Sequence, residues 1–385
     1  MRITAAWLSD PAPAAVMAAL AGFQALYVGG AVRNALLGLP PGDIDIATDA
    51  TPDRVIAAVE EAGLKAVPTG VDHGTVTVVA HGTGIEVTTF RRDVETDGRH
   101  AVVAFSTDPA EDAARRDFTM NALYADAQGQ VIDPLGGLPD LLARRVRFVG
   151  DPQARIAEDH LRILRFFRFH AWYGGDGIDP DGLAACAALS AGTDTLSAER
   201  VGAEMRKLLS APDLAPSVAS MAAAGVLARV LPGADPRALA PLVHLEGDMG
   251  LPPEPIRRLA ALGGQGAADR LRLSRAEAKR LTMLRDAAGS MAGAGELGYR
   301  FGSEPALSAL VLRAAMTGAP LPPALRHQAD QGAAARFPVQ AADLAPLSGP
   351  ALGARLRALE GAWVASGFTL SRDALLALPP PPPPG

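Results

Sequence analysis

Two aspartates one residue apart, Asp43 and Asp45, close the run LYVGGAVRNALLGLPPGDIDIAT over residues 26–48. Alternate side chains of a strand share a face, so the spacing predicts both aspartates on one face and Ile44 and Ile46 buried on the other. Paired hard carboxylates suit Mg²⁺, which takes one or two of them together with substrate phosphates. Two such ions about 4 Å apart can activate an attacking hydroxyl and stabilise a departing pyrophosphate. An Asp-x-Asp pair alone is as much at home in a surface turn. Here it follows Gly29-Gly30, whose bare backbone can approach a ligand closely at the start of a helix, an arrangement that favours phosphate.

The elements that must position these groups are short. Leu26–Val28 reads as an apolar strand and 31–37 as a helix stopped by Gly38. Pro40-Pro41-Gly42 is a loop before the aspartate strand. The ordered pattern GG-x-VR-N-x-LLG followed by D-x-D resembles the nucleotidyltransferase signature of the tRNA CCA-adding enzymes and bacterial poly(A) polymerases, class II of the polymerase-β superfamily. Asn34 stands where that family usually has Asp, removing a charge while keeping hydrogen bonding. The resemblance implies an α+β fold. A small polymerase-β-type nucleotidyltransferase head with a mixed sheet is followed by an all-helical neck, body and tail.

Further along the head, 51–62 reads as a helix, 66–68 as a short strand, and 73–79 and 85–90 as a hairpin turning near His81-Gly82-Thr83-Gly84. One helix–strand pair followed by a hairpin predicts a small mixed sheet, not a doubly wound one. Glu86 lies on the second hairpin strand, either as a third carboxylate beside Asp43 and Asp45 or as an exposed strand residue; the family has an acidic residue at the matching position. Residues 91–100, polar and without apolar periodicity, read as a flexible loop, and Arg92, Asp97 and Arg99 resemble the mobile loop of the family. The stretch RRDFTMNA, Arg115 to Ala122, matches the second family signature throughout. It predicts a helix start at Asp117 with Asn121 one turn later. Arginine pairs supply forked donors to phosphate or carboxylate, and Asn121 suits a phosphate, a metal-bound water or the ribose.

Residues 156–173, IAEDHLRILRFFRFHAWY, predict one amphipathic helix on which Glu158 and Asp159 neighbour Arg162. An ordinary helical ion pair, or a phosphate-facing arginine stripe, is the plain reading. A sharper one follows from base chemistry. Cytosine and adenine share an amino donor beside a ring-nitrogen acceptor. An aspartate accepting from the former and an arginine donating to the latter would take C and A, and leave U and G with unpaired buried groups. ED-x-x-R-x-x-R resembles the family's protein template for CTP and ATP. The resemblance carries that role to Asp159 and Arg162, with Glu158 and Arg165 in support. It likewise assigns Gly29, Gly30, Arg33, Arg116, Asp117 and Asn121 to nucleotide binding, and Asp43, Asp45 and Glu86 to catalysis, with Asp43 and Asp45 as metal ligands. In LSAER and EMRKLL, residues 196–209, Ser197 is a helix cap, Arg200 and Glu204 form a helical pair, and Arg200 braces the base-reading helix.

Half the 385 residues are hydrophobic and few are aromatic, which suits Ala- and Leu-rich helices in several domains and excludes a disordered chain. Net charge is −6, so a nucleic-acid partner would have to meet local patches rather than the whole surface. Three lysines accompany thirty-three arginines, an imbalance that by itself says nothing about RNA. Cys186 is the single cysteine, which excludes an internal disulfide and a cysteine zinc site and fits a reducing cytoplasm. The N-terminal apolar patch is broken by Asp10 and prolines, so neither signal peptide nor membrane span is expected. Expected divisions are a head over 1–137, a base-selecting neck over 138–210, a body over 211–300, a tail over 301–378 and a disordered proline-rich end over 379–385. The arginine-rich run 257–285 is read as a solvated helix face, or else an RNA backbone face.

The resemblance implies addition of CMP and AMP from CTP and ATP to the 3′ end of tRNA, with Mg²⁺, in a two-ion site, as cofactor. Alternatives are a poly(A) polymerase, an A-only or CC-only adding enzyme, or an inactive RNA-binding homologue. Oligomeric state is not legible.

Overall fold

Tyr27, Ile46, Val87 and Val76 stand in register on four adjacent strands, each at most 1% exposed. This apolar row is the spine of the N-terminal unit, Met1–Pro232; a second unit covers Gly233–Gly385. The computed structural model describes residues 1–97 and 100–379. The proline-rich end beyond 379 lies outside the described residues, as do Gly98 and Arg99.

In the first unit α1 (Pro11–Ala19) precedes β1 (Ala25–Val28), α2 (Gly30–Leu36), β2 (Asp45–Thr48) and α3 (Pro52–Glu61). Next come β3 (Lys65–Gly70), β4 (Thr75–Ala80), β5 (Thr83–Thr89), β6 (Arg91–Asp97) and β7 (His100–Phe105). α4 (Pro109–Ala114), β8 (Tyr124–Ala125) and β9 (Val131–Ile132) complete the β-containing part. Seven strands form one sheet in the order β3-β4-β5-β2-β1-β8-β9, with β2 and β5 parallel and the other pairs antiparallel. This is the mixed sheet expected. Helices α1 and α3 pack on it, with Val16, Leu20, Val55 and Val59 buried.

Helices follow: α5 (Leu138–Leu142), α6 (Pro152–Glu158), α7 (Leu161–Tyr173), α8 (Pro180–Ala188), α9 (Ala198–Leu209), α10 (Ala215–Ala223) and α11 (Val226–Val230). The second unit is helical throughout: α12 (Leu239–Asp248), α13 (Pro255–Leu262), α14 (Ala267–Arg270), α15 (Arg275–Gly289), α16 (Ala294–Phe301), α17 (Ser303–Thr317), α18 (Leu325–Ala334), α19 (Gly349–Ala365) and α20 (Arg372–Leu376). Among the described residues no helix is long and apolar enough to cross a membrane.

Four expectations are corrected. Residues 91–97 are strand, not loop: β6 pairs with β7 in a two-stranded sheet, with a register shift between Asp93 and Glu95. Polar side chains hid a ladder that backbone hydrogen bonds build. The helix expected over 156–173 is broken, because Asp159 is extended (φ −153°, ψ 105°) and its carboxylate accepts from Leu161 N at 3.1 Å. Aspartates that bond nearby backbone compete with helix in this way. No helix starts at Asp117; α4 ends before it, and Asn121 sits in a 3₁₀ turn, Thr119–Asn121. Arg257 and Arg258 are no surface face. Both are 1% exposed and grip Glu246, Arg257 Nε at 2.8 Å and Arg258 Nη2 at 2.8 Å. A neighbouring carboxylate eleven residues away allows burial that the arginine count alone would forbid.

Candidate active site

Asp45 opens β2 and faces Val28 on β1 and Glu86 on β5 in register. Asp43 and Ile44 precede the strand, so Asp43 is exposed and Ile44 only half-buried; strict alternation holds for Asp45 and Ile46 alone. Asp43, Asp45 and Glu86 nonetheless line one cavity. Burial, then the Glu86 and Asp43 carboxylates, push the Asp45 carboxyl up to about 6, against the pull of Arg116. Like charges crowded at a half-buried carboxylate disfavour its ionised form. A divalent cation would reverse that. Among the described residues no group of three or more His, Cys, Asp or Glu side chains is arranged to hold a metal unaided. Asp43 and Asp45 fit as two hard oxygen donors completed by substrate oxygens.

Next to Val28 the chain turns at Gly29, whose φ of 68° is natural only to glycine. A Cβ there would stand 3.5 Å from Arg116 Nη1, so this guanidinium lies along the turn. Arg116 is held from behind. Its Nη2 donates to Asp112 Oδ2 at 2.8 Å and its Nε to the Tyr124 hydroxyl at 3.2 Å, while Tyr124 donates to the same Asp112 oxygen at 2.7 Å. Burial would raise the Asp112 carboxyl, but Arg116 and Tyr124 hold it below the usual range. Asp112 and Tyr124 were not singled out in the sequence, because an acid and a phenol flanking the motif carry no signature of aiming an arginine.

Arg33, on α2, is buried to 6% exposure. It donates to Asn121 Oδ1 at 2.5 Å, to Asn34 Oδ1 at 2.9 Å and to the Tyr173 hydroxyl at 2.8 Å, and its guanidinium lies 4.0 Å from the centre of the Tyr173 ring. The family's aspartate position is therefore used here by Asn34 to hold Arg33. Asn121 in turn donates to Asp117 Oδ1 at 2.9 Å, and Arg165 donates to Asp117 Oδ2 at 2.8 Å through Nε. Asp117 is pulled down by Arg165 and Asn121 despite burial. So the structure brings Arg33, Asp117, Asn121 and Arg165 into one chain of bonds, with Tyr173 as a member that α7's apolar periodicity concealed.

Of the two acids expected beside Arg162, Glu158 takes that place and Asp159 does not. Arg162 Nη1 pairs with Glu158 Oε2 at 2.5 Å and with Arg155 O at 2.7 Å, not with Asp159. Asp159 Oδ2 instead receives Arg200 Nη2 at 2.7 Å from α9. Nor do Arg200 and Glu204 pair along α9, since Glu204 takes Arg168 Nε at 2.5 Å. The break at Asp159 turns its carboxylate out of the helical row, which leaves Glu158 as the acid one turn from Arg162.

A mixed sheet that presents a Gly-Gly turn and paired carboxylates at one end, followed along the chain by helices, defines a nucleotidyltransferase of the polymerase-β type. The sequence matches the Poly A polymerase head domain over residues 25–147 and the probable RNA and SrmB-binding site of polymerase A over 177–237. The human protein CCA tRNA nucleotidyltransferase 1, mitochondrial, is 45% identical over 188 residues, which are 47% of this chain and 42% of that protein. A CCA-adding enzyme of Leuconostoc citreum is 44% identical over 215 residues, 55% of this chain and 52% of that protein. The matched stretch spans about half the length of these curated relatives. The crystal structure of the Bacillus stearothermophilus CCA-adding enzyme in complex with CTP is similar with a TM-score of 0.68 at 30% identity, covering 92% of each chain. The chain belongs to the family of CCA-adding enzymes and bacterial poly(A) polymerases.

Proposed function

We propose that this protein adds CMP and AMP, from CTP and ATP, to the 3′ end of tRNA and releases pyrophosphate. The observation that carries the reading is the placement of Asp43, Asp45 and Glu86 at the same sheet end as the Gly29 turn and the Arg116 guanidinium along it. The names of the relatives support the choice of tRNA, CTP and ATP.

Nucleotidyltransferases of this kind use divalent metal ions; Mg²⁺ held by Asp43 and Asp45, in a two-ion site, would lower the pKa of the attacking hydroxyl and neutralise charge on the phosphates. The chain's own groups then have separate tasks. Gly29 and Gly30 leave backbone amides beside the triphosphate, and Arg116 offers Nη1 to its oxygens. Arg33, held by the neutral acceptors Asn34, Asn121 and Tyr173, fixes Asn121 and the turn of α2. The acceptor's 3′ oxygen forms a bond to the α-phosphorus as the bond from that phosphorus to the bridging oxygen breaks. The electron pair leaves with pyrophosphate, and the hydroxyl proton passes to a site carboxylate and on to water. Asp159 accepts from the amino group common to cytosine and adenine, and Arg162 donates to the ring nitrogen, with Glu158 orienting Arg162, Arg200 orienting Asp159 and Arg165 supporting the site through Asp117.

The division into head, neck, body and tail at residues 137, 210 and 300 is part of the same proposal. It is supported by the last strand, β9, ending at Ile132. Cytoplasmic location is proposed on the single, buried Cys186.

The test is incorporation of labelled CTP, ATP, UTP and GTP with Mg²⁺ on three acceptors: tRNA lacking CCA, tRNA ending in CC, and oligoadenylate. Addition of C, C and A to the first and one A to the second is expected. Long A-tails on oligoadenylate would replace this reading with a poly(A) polymerase, and no incorporation anywhere would overturn the transferase.

A further inference from the structure

Beside the catalytic carboxylates lies a cavity of about 870 Å³ whose other walls are Asp10–Pro13, Thr77, His81 and Thr83–Ile85. The Gly29 turn and Arg116 are not among its lining residues. The sheet order explains why. Reading across the sheet end, Gly29 follows β1, Asp45 begins β2, Glu86 stands opposite it on β5, and Thr77 stands opposite Glu86 on β4. Strands are about 4.8 Å apart. The carboxylates therefore separate the turn on one side from Thr77 on the other.

In-line displacement puts the attacking and leaving oxygens on opposite sides of the phosphorus. With the β- and γ-phosphates at the Gly29 turn, the attacking hydroxyl must arrive from the β5–β4 side. We infer that this cavity receives the terminal ribose of the RNA acceptor and that Thr77 senses its 2′-hydroxyl, an inference that rests on the nucleotidyltransferase reading above. The lining chemistry fits a sugar better than a phosphate. Asp10, Asp43, Asp45 and Glu86 are acceptors for hydroxyl protons and would repel an unscreened anion. Thr77 is half-buried, and its hydroxyl shares a hydrogen bond with that of Thr69 at 2.8 Å. If Thr77 accepts in that bond its own O–H stays available, and if it donates its oxygen can still accept from a sugar hydroxyl. Gly84 keeps the wall open, since a Cβ there would come within 3.2 Å of Thr77 Cγ2.

The test compares two acceptors identical but for their last sugar, ribose or 2′-deoxyribose, each with a free 3′-hydroxyl. Wild-type protein should extend the ribose end more efficiently. Thr77→Val keeps the β-branched strand shape. It should lose about five- to tenfold in kcat/KM on the ribose end, as expected for one hydrogen bond. It should lose nothing on the deoxyribose end and keep its KM for CTP and ATP. Thr69→Val, which removes only the partner hydroxyl, should show a smaller loss in the same sense, and gives a second reading if Thr77→Val folds poorly. Equal losses on both ends, a raised KM for nucleotide, or a wild type indifferent to the sugar would overturn the inference while leaving the transferase intact. A wild type that extends neither end, nor any RNA, would overturn the transferase reading first.

Discussion

Arg200, on α9, donates through Nη2 to Asp159 Oδ2 at 2.7 Å, tying that helix to the break between α6 and α7. The bridge fixes one oxygen of the carboxylate proposed to choose the base. Both side chains are partly exposed, 46% and 32%, so the pair adds little to stability, of order 0–1 kcal/mol. Its effect should appear in selection. Arg200→Ala is expected to lower kcat/KM for CTP and ATP by about tenfold or more, on the scale of a charged hydrogen bond, and to raise the share of UTP and GTP incorporated. Arg200→Lys should recover part of the loss. A competition assay with all four nucleotides checks this; an unchanged base preference would confine Arg200 to bracing the fold.

Asp45 should behave as a strained acid in the absence of divalent cations. Its folded pKa of about 6 lies above the ordinary 3.8. The stability it contributes is therefore complete below pH 3.8 and is lost as pH rises through about 6. At pH 7.5 in chelator, Asp45→Asn should melt no lower than wild type. Added Mg²⁺ should raise the melting temperature of wild type and not of the variant. Transfer by the variant should fall about a hundredfold or more. An unchanged transfer rate would remove Asp45 from the site.

Asp112 has the opposite sign. Its carboxyl is held below 3.8, so its stabilisation is present above that pH and is lost as pH falls through its folded value. Asp112→Asn leaves Arg116 without its carboxylate and should cost about 3 kcal/mol at pH 7. Acid unfolding below pH 4 should become shallower. The same variant should weaken nucleotide binding, since Arg116 Nη1 is aimed by the bonds on its other nitrogens. Denaturant melts at pH 3, 4 and 7, with nucleotide titrations, check both parts.

In the second unit, Glu246 at 3% exposure accepts from two arginines at 1%. Removing it strands buried charge. Glu246→Ala should destabilise that unit by about 3–5 kcal/mol, visible as an earlier calorimetric transition. Replacing Arg257 with Met and Arg258 with Leu in the same chain should restore much of the loss, because well-packed apolar groups need no counter-ion.

Local signals determined much of this protein. The Gly29-Gly30 turn, the Asp45 strand and the Arg116 motif were readable because turn chemistry, strand alternation and the spacing of a short motif are properties of contiguous residues, whereas the sequence left Glu86 open until the strand register set it opposite Asp45. The hairpin was readable for the same reason: His81 and Gly82, at φ 50° and 79°, form the tight turn that the flanking apolar strands required. What the tertiary structure alone decided was the pairing of side chains far apart in sequence. Asp159 went to Arg200, Arg33 found Tyr173 at a separation of 140 residues, and Arg257 and Arg258 were buried on Glu246. An arginine has five donors on a long flexible stem. Which acceptor it reaches depends on where the fold places carboxylates, phenols and free carbonyls around it, and no spacing rule within one helix can anticipate that.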